Sequence, residues 1–329
     1  MSARADVERE IAAFRAAWDA LRGALGRTVV GHAEPVEQVL TAFFAGGHVL
    51  LEGVPGLGKT LLVRTLASAV GLRFARIQCT PDLMPADVTG TSVFSEEDGR
   101  REFVFRPGPV FTNLLLADEV NRATPKTQSA LLEAMEERTV TAGGRTHPLE
   151  APFLVLATQN PLEMEGTFPL PEAQLDRFLF KVLLQPPPAA EVLEIVDRTT
   201  GASRPSAPPV LDGARVLALQ GLVREVVLEG PAREHVVALA EATSPRSATA
   251  PASVRRFVCW GASPRGAQAL ALGAKVRALA AGRAHASLED VRAVARPALR
   301  HRILLNFEGE AEGAEVESLL DEVLARPAR

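Results

Sequence analysis

Eight consecutive residues, Gly53-Val54-Pro55-Gly56-Leu57-Gly58-Lys59-Thr60, fit the pattern G-x-x-x-x-G-K-[ST] without a mismatch. Glycines at these places let the backbone curl until successive N–H groups face an anion, and a helix opening at Lys59 adds its positive end. Lys59 is then placed to reach β- and γ-phosphates, and the Thr60 hydroxyl to hold Mg²⁺. The same string also describes a Gly-rich turn between a strand and a helix. Its flanks favour a nucleotide cradle running from Gly53 to Leu61. His48-Val49-Leu50-Leu51-Glu52 is strand-like, and Leu61 to Val70 carries apolar residues at helical spacing.

A phosphate cradle alone says only that a nucleotide binds. Leu114-Leu115-Leu116-Ala117-Asp118-Glu119 is an apolar strand ending in adjacent acids, and ligands gather at such strand ends in a parallel sheet. Asp118 is assigned to the metal, through its water shell. Glu119 is assigned to orienting and deprotonating an attacking water. The next apolar strand, Phe153 to Thr158, runs into Gln159-Asn160-Pro161. The Asn160 amide could bond a γ-phosphate or that water without adding charge, although Asn-Pro after a strand is by itself a turn signal. Arg177, in Leu175-Asp176-Arg177-Phe178, and Arg265, in Ser263-Pro264-Arg265-Gly266, stand at element boundaries. On spacing alone either is an ordinary surface arginine. Presented to a transferring phosphoryl group, each would stabilise its charge, and such an arginine can come from another subunit.

These groups need a scaffold, and the chain is long enough to supply one. It has 329 residues, 47% of them hydrophobic, so length suggests about two domains with a sizeable core. A formal net charge of −4 provides no global basic field for nucleic acid. Cys79 and Cys259 lie far apart and lack metal-ligand spacing, which points to a reducing, cytoplasmic setting. No apolar run approaches the ~20 residues of a membrane helix, so no membrane partner is expected.

The periodicity predicts an amphipathic helix over about 4–26 and a second from Ala33 to Ala45, closed by Gly46-Gly47. Strands and helices then alternate: strands at 49–52, 74–78, 114–118, 153–158 and 178–184, helices at 59–70 and 125–137. Strands without polar alternation fit a parallel sheet covered on both faces, hence an α/β layer fold. Two hairpins interrupt it, one with a charged tip at Glu96–Arg101 turning on Asp98-Gly99, one turning on Gly143-Gly144. Pro186-Pro187-Pro188 closes this regime. Residues 1–188 are expected to form the nucleotide-binding domain with its N-terminal helix, and 189–329 an all-helical lid. The lid includes a Pro/Ser-rich loop at Gly201–Pro209 and an acidic tail from Glu308 that is either a solvated helix or a frayed end.

Gly53–Thr60, Leu116–Glu119, Ala157–Pro161, Leu175–Phe178 and the segment opened by Ser263–Arg265 occur in the order of an AAA+ ATPase. The chain resembles the MoxR family within that class. The resemblance rests on His48–Thr60, Thr80-Pro81-Asp82-Leu83-Met84-Pro85-Ala86-Asp87-Val88-Thr89-Gly90, Ala117–Ala123, Gln128–Met135 and Leu170–Phe178. It is dense from about Val30 to Phe180 and thinner to Arg302. It implies a P-loop fold with a helical lid and hydrolysis of ATP with Mg²⁺. By the same resemblance Asn160 is the sensor-1 amide, Arg177 the arginine finger reaching a neighbour's nucleotide, and Arg265 the sensor-2 arginine on the lid. Val29-Val30-Gly31-His32 resembles the stretch that packs on adenine. The two hairpins resemble the helix-2 insert and the pre-sensor-1 hairpin, which face the pore in related rings. The family further implies a homo-oligomer, usually a hexameric ring, remodelling or activating client proteins that often carry von Willebrand factor A domains. The linker Leu184–Ala190 lacks the Tyr-Pro character of the family, and Cys79 stands where a bulkier apolar residue is expected. Other motors share this residue set: metal-chelatase subunits, and activators of carbon-fixing or nitric-oxide-reducing enzymes. A nucleotide-dependent scaffold with little hydrolysis and a DNA translocase are further alternatives. The complete acid pair speaks against the scaffold, and the modest acidity against the translocase.

Overall fold

The computed structural model describes residues 2–97, 100–161, 166–200 and 208–326. The first part of the chain runs α1 (Ser2–Thr28), α2 (Ala33–Ala45), β1 (Val49–Glu52), α3 (Lys59–Ala69), β2 (Phe74–Gln78) and α4 (Pro85–Thr89). There follow β3 (Gly90–Glu97), β4 (Arg100–Pro107), β5 (Leu114–Asp118), α5 (Pro125–Glu137), β6 (Thr139–Ala142), β7 (Arg145–Pro148), β8 (Leu154–Gln159), α6 (Glu172–Leu175) and β9 (Phe180–Leu183). Five strands form one sheet in the order β2-β5-β8-β1-β9, and every pairing in it is parallel.

Alternation along these strands divides the core. Leu114, Leu116, Leu154, Leu156, Val49 and Leu51 pack with α1–α3 and with helices from the second half of the chain. Leu115, Ala117, Val155, Ala157 and Leu50 pack on the other face with Leu131 and Leu132 of α5. A strand whose two sides are both apolar therefore reads as a continuous hydrophobic run, as Leu114–Ala117 does.

Two antiparallel ribbons stand off the sheet, β3–β4 and β6–β7. The first coincides with the predicted charged hairpin, whose Asp98-Gly99 turn lies outside the described residues. The second turns at Gly143-Gly144 as expected. The ribbons touch: Phe105 of β4 stacks on His147 of β7, with ring centroids 4.1 Å apart.

The second half runs α7 (Ala189–Thr200), α8 (Gly213–Glu225), β10 (Val227–Leu228), α9 (Gly230–Ala242), α10 (Ala252–Phe257) and β11 (Val258–Trp260). It continues with α11 (Pro264–Ala280), β12 (His285–Ala286), α12 (Leu288–Leu299), β13 (Leu304–Leu305), α13 (Phe307–Ala311) and α14 (Val316–Leu324). This helical lid is not purely helical. Strand β10 pairs with β12, and β11 with β13. Helix α10 stops at Phe257, because Val258 takes extended angles (φ −99°, ψ 132°) and joins β13 instead. The acidic tail also differs from either expectation. Leu319, Leu320 and Val323 of α14 are buried in the core, while Glu308 and Glu312 pair with Arg256, and Glu317 with Arg296 and Arg300. The Pro/Ser-rich loop falls largely outside the described residues.

The lid sits directly on the sheet. At Gly273 of α11 a Cβ would come within 2.8 Å of the Phe180 ring, so only a residue without one lets α11 lie this close to β9. Helix α1 buries Phe14, Leu21 and Leu25 in the same core.

Candidate functional site

The phosphate loop leaves β1 at Glu52 and enters α3 at Lys59. Its first residue is tied to the neighbouring strand, with the Gly53 N–H donating to the Gln159 carbonyl at 3.3 Å. Gly56 and Gly58 have φ of +87° and +79°, and nothing lies within 4 Å of a Cβ at either. Backbone handedness, rather than crowding, therefore requires glycine there. Lys59 is buried and its Nζ donates to the Gly53 carbonyl at 2.6 Å. Thr60, Val54 and Leu57 are half-buried, Pro55 is exposed, and Leu61 turns an exposed side chain outward from the first turn of α3. The predicted cradle thus exists as a curled loop at a helix start, a geometry suited to an anion.

Gly31 and His32 flank this loop. The His32 ring lies 3.1 Å from the Leu57 carbonyl through Nε2. Burial pushes the imidazole below its ordinary pKa, while the Leu57 carbonyl and Glu191 pull the other way. The neutral ring then donates from Nε2 to Leu57. Beside it opens a cleft of about 700 Å³ bounded by Gly31, His32, Pro35, Pro187, Glu191 and Arg300. That volume accommodates a nucleoside. Val30 is half-buried between α1 and α2.

Asp118 is the last residue of β5, and Glu119 follows in the left-handed region at φ 55°. A non-glycine residue held there is strained, and such strain collects at functional sites. One hydroxyl organises both acids. Thr158 Oγ1 donates to Asp118 Oδ1 at 2.6 Å and accepts from the Glu119 N–H at 2.8 Å. The remaining carboxylate oxygens take cations and an amide. Asp118 Oδ2 accepts from Arg76 at 3.1 Å (Nε) and 2.7 Å (Nη2). Glu119 Oε2 accepts from Gln78 at 2.9 Å and from Arg122 at 3.3 Å. Asn160, buried, comes one residue after β8. Because β8 lies between β5 and β1, at ~4.8 Å per strand, Asn160 sits between the acids and the phosphate loop. Cys79 nearby is pushed up to about 12 by burial, with Asp118 and Glu119 adding to it. It is a packed thiol and not a nucleophile.

The two arginines lie elsewhere. Arg177 precedes β9, where the Leu179 N–H donates to the His48 carbonyl at 2.8 Å. Arg177 Nε is 2.9 Å from Glu136 Oε2 at the end of α5, and Arg265 pairs with the other oxygen of the same carboxylate. A cavity of about 280 Å³ opens here, bounded by Gly47, His48, Glu136, Arg177, Arg265 and Arg302. Gly47 and His48 precede β1, whereas the phosphate loop follows it. Four strand residues at ~3.3 Å each put ~13 Å between them. The structure therefore brings Lys59, Thr60, Asp118, Glu119 and Asn160 to one end of the sheet, and Arg177 with Arg265 to the other. The resemblance had put Arg265 on the lid, and it is there, but beside Arg177.

Several residues at these sites receive no role from the sequence: Thr158 and Asp176, which lie inside quoted motifs, and Arg76, Gln78, Glu136 and Arg302, which lie outside them. Arg76 and Gln78 could have been noticed as polar residues two apart at the end of a strand, hence on one face. The others become visible only through tertiary contact. Among the described residues no group of three His, Cys, Asp or Glu side chains could hold a metal by themselves, and no helix is long and apolar enough to cross a membrane.

A parallel sheet carrying a phosphate loop and an acid pair at its carboxyl end, with a helical lid laid on it, defines an AAA+ ATPase. The profile of the ATPase family associated with various cellular activities (AAA) matches residues 48–180, and that of the AAA lid domain matches residues 252–323. The chain is 44% identical to Chaperone MoxR1 of Mycobacterium tuberculosis over 91% of its own length and 78% of that protein's. It is 36% identical to Protein MoxR of Paracoccus denitrificans over 95% of both. A crystal structure of a Cytophaga hutchinsonii protein superimposes with a TM-score of 0.92 at 39% identity, covering 99% of each chain. The chain belongs to the MoxR family of AAA+ ATPases.

Proposed function

We propose that the protein hydrolyses ATP at sites shared between neighbouring copies in a ring, and uses that cycle to remodel or activate client proteins. The observation that carries this is the separation of the two sets of groups. A chain whose phosphate loop and arginines occupy opposite ends of one sheet is suited to supplying its arginines to the next copy's nucleotide. Residues 1–188 act as the nucleotide domain and 189–329 as the lid in this scheme.

Lys59 and the backbone N–H groups of Gly56–Leu61 bind the β- and γ-phosphates, and the cleft beside Val30-Gly31 takes the adenosine. The donors for a metal are the Thr60 hydroxyl and the Asp118 carboxylate, both hard oxygens that suit Mg²⁺. The Arg76 guanidinium on Asp118 Oδ2 supports this fit, since it shows this carboxylate already holding a cation. Bound Mg²⁺ supplies charge neutralisation across the phosphate oxygens. Glu119 then accepts the proton of the attacking water, once its carboxylate exchanges Gln78 and Arg122 for that water. The Asn160 amide orients the water or the γ-phosphate. Arg177 and Arg265 from the neighbour stabilise the charge that develops on the transferred group. Similarity to a relative named as a chaperone supports client remodelling. Clients with von Willebrand factor A domains, a hexameric ring and a cytoplasmic setting complete the proposal.

Mixed assemblies test it. Lys59→Ala chains and Arg177→Ala chains should each be nearly inactive alone. Mixed, they should regain phosphate release, because some interfaces then pair an intact loop with intact arginines. Absence of recovery in assemblies shown to contain both chains would refute the shared site.

A further inference from the structure

We propose that Arg302 is the positioning residue of the neighbour-facing arginine pair, fastening the backbone on either side of Arg177 to the lid helix that carries Arg265. Building on the shared-site reading above, it says what holds the two arginines in one geometry.

Arg302 follows α12, and its side chain is only 3% exposed. A guanidinium this buried needs partners for all its donors, and it finds most of them on one short segment. Nε donates to Asp176 Oδ1 at 2.7 Å, and Nη2 to the carbonyls of Asp176 at 3.0 Å and Phe178 at 2.8 Å. Nη1 donates to the Leu179 carbonyl at 3.2 Å and to that of Ala298 in α12. The residues gripped, Asp176, Phe178 and Leu179, bracket Arg177. Arg302 does not touch the Glu136 carboxylate that Arg177 and Arg265 share.

The other oxygen of Asp176 completes the link. Ser263 Oγ donates to Asp176 Oδ2 at 2.8 Å, and the same hydroxyl oxygen accepts from the Arg265 N–H at 3.0 Å as the cap of α11. Asp176 thus joins the residue before Arg177 to the first turn of the helix bearing Arg265. Gly266 makes room for the clamp, since a Cβ there would stand 3.0 Å from Arg302 Cδ. Planar, five-donor geometry is what a lysine cannot reproduce at such a site.

A consequence concerns the chain's own nucleotide. Arg300, two residues before Arg302, lines the cleft beside Gly31 and donates to the Lys181 carbonyl at 3.2 Å. One short stretch at the end of α12 therefore touches both the cleft beside Gly31 and the backbone on either side of Arg177. A shift of that stretch would be passed through Arg302 to the backbone around Arg177.

The test compares two variants in the full-length assembly. Arg302→Lys keeps the charge and loses the fork. Arg302→Met/Asp176→Leu replaces the buried pair with apolar side chains, an exchange that commonly preserves stability. Both should bind a fluorescent ADP analogue at their own loop with wild-type affinity. Both should lose phosphate release by roughly 10–100-fold in kcat, the scale of a ~1 Å misplacement, with KM for ATP little changed. Mixing with Lys59→Ala chains, whose arginine pair is intact, should restore turnover. Melting temperature separates positioning from mere stability: a variant that remains fully folded at the assay temperature should still turn over slowly. Wild-type kcat in a folded variant would overturn the proposal, as would turnover that simply tracks melting temperature. If Arg177→Ala is slow and rescued in mixtures while the Arg302 variants are fast, the clamp fails and the shared site stands. If Arg177→Ala is itself fast, the shared site fails and the clamp with it.

Discussion

The two ends of the central sheet are assembled by different means. At the carboxyl ends of β5, β8 and β1, the groups are supplied by short, contiguous segments: residues 53–60, 118–119 and 158–160. Parallel pairing alone brings them together, and the backbone does much of the work through Gly56, Gly58 and the left-handed Glu119. At the amino ends, Glu136, Arg177, Arg265 and Arg302 come from α5, the turn before β9, the start of α11 and the residues after α12. Only tertiary packing collects them. A pocket for phosphate can be built locally, whereas a cationic face for another molecule's phosphate depends on how the lid lies on the sheet. The first should be robust to lid movement and the second should follow it.

Removing the arginine end should have the largest effect. Arg177→Ala is expected to slow turnover by roughly 10³-fold or more while leaving nucleotide binding by the same chain intact, read by titration with an ADP analogue. Weakened binding by the variant chain itself would collapse the distinction between the two ends. At the phosphate end, Glu119→Gln should bind ATP and slow hydrolysis by about 10²–10⁴-fold, and mixing with Arg177→Ala chains should locate each defect on its own side of the interface. Unchanged turnover would remove Glu119 from the chemistry.

Acid should separate the ends through stability. His48 is wholly buried at the start of β1, accepting from the Val155 N–H at 2.9 Å and facing the Met135 carbonyl at 3.0 Å. Burial lowers its pKa from 6.5 to about 4, and burial beside Arg302 holds that of His301 well below the usual value. In both cases the unfolded chain takes up a proton that the folded one refuses. Stability is therefore undiminished above pH ~6.5 and falls as pH drops toward 4, by roughly 3 kcal/mol for His48. Both histidines belong to the arginine end. Melting temperature measured from pH 7.5 to 4.5 should decline, with a shallower slope in His48→Gln; identical slopes would clear His48 of the effect.

The smallest effect concerns the shared carboxylate. Glu136 is about one-third exposed, with a side-chain accessibility of 34%, so its hold on the arginines is weak, of order 1 kcal/mol or less. In the proposed shared site it would compete with the neighbour's phosphate. Glu136→Gln should raise turnover about two- to fivefold at low salt, and a decrease would mean that the carboxylate positions the arginines instead of occupying them.

The same contrast explains what was legible in the sequence. The cradle, the acid pair, the five sheet strands and helix Ala33–Ala45 were readable because each is written in adjacent residues with a strong period or a handedness requirement. The grouping of Arg177 with Arg265 was not, since 88 positions separate them, from 177 to 265, and nothing local encodes the seat of α11 on β9. Thr158 was visible as a strand residue, but its two hydrogen bonds, to Asp118 and from Glu119, depend on register between β5 and β8. The short ladders β10–β12 and β11–β13 escaped because two- and three-residue strands carry no period. The acidic tail reads as solvated because glutamates dominate its composition, while its packing rests on Leu319, Leu320 and Val323.

The cysteines turn these differences into a practical handle. Cys259 is exposed on the lid, and Cys79 is buried behind the acid pair with its thiol proton held to about pH 12. Thiolate is the reactive form, so a maleimide at neutral pH should modify the folded chain once, at Cys259. That gives a dye position on the lid without further engineering. A second equivalent of label would then count the molecules whose sheet has opened at β2, a chemical clock for the loosening of the phosphate end.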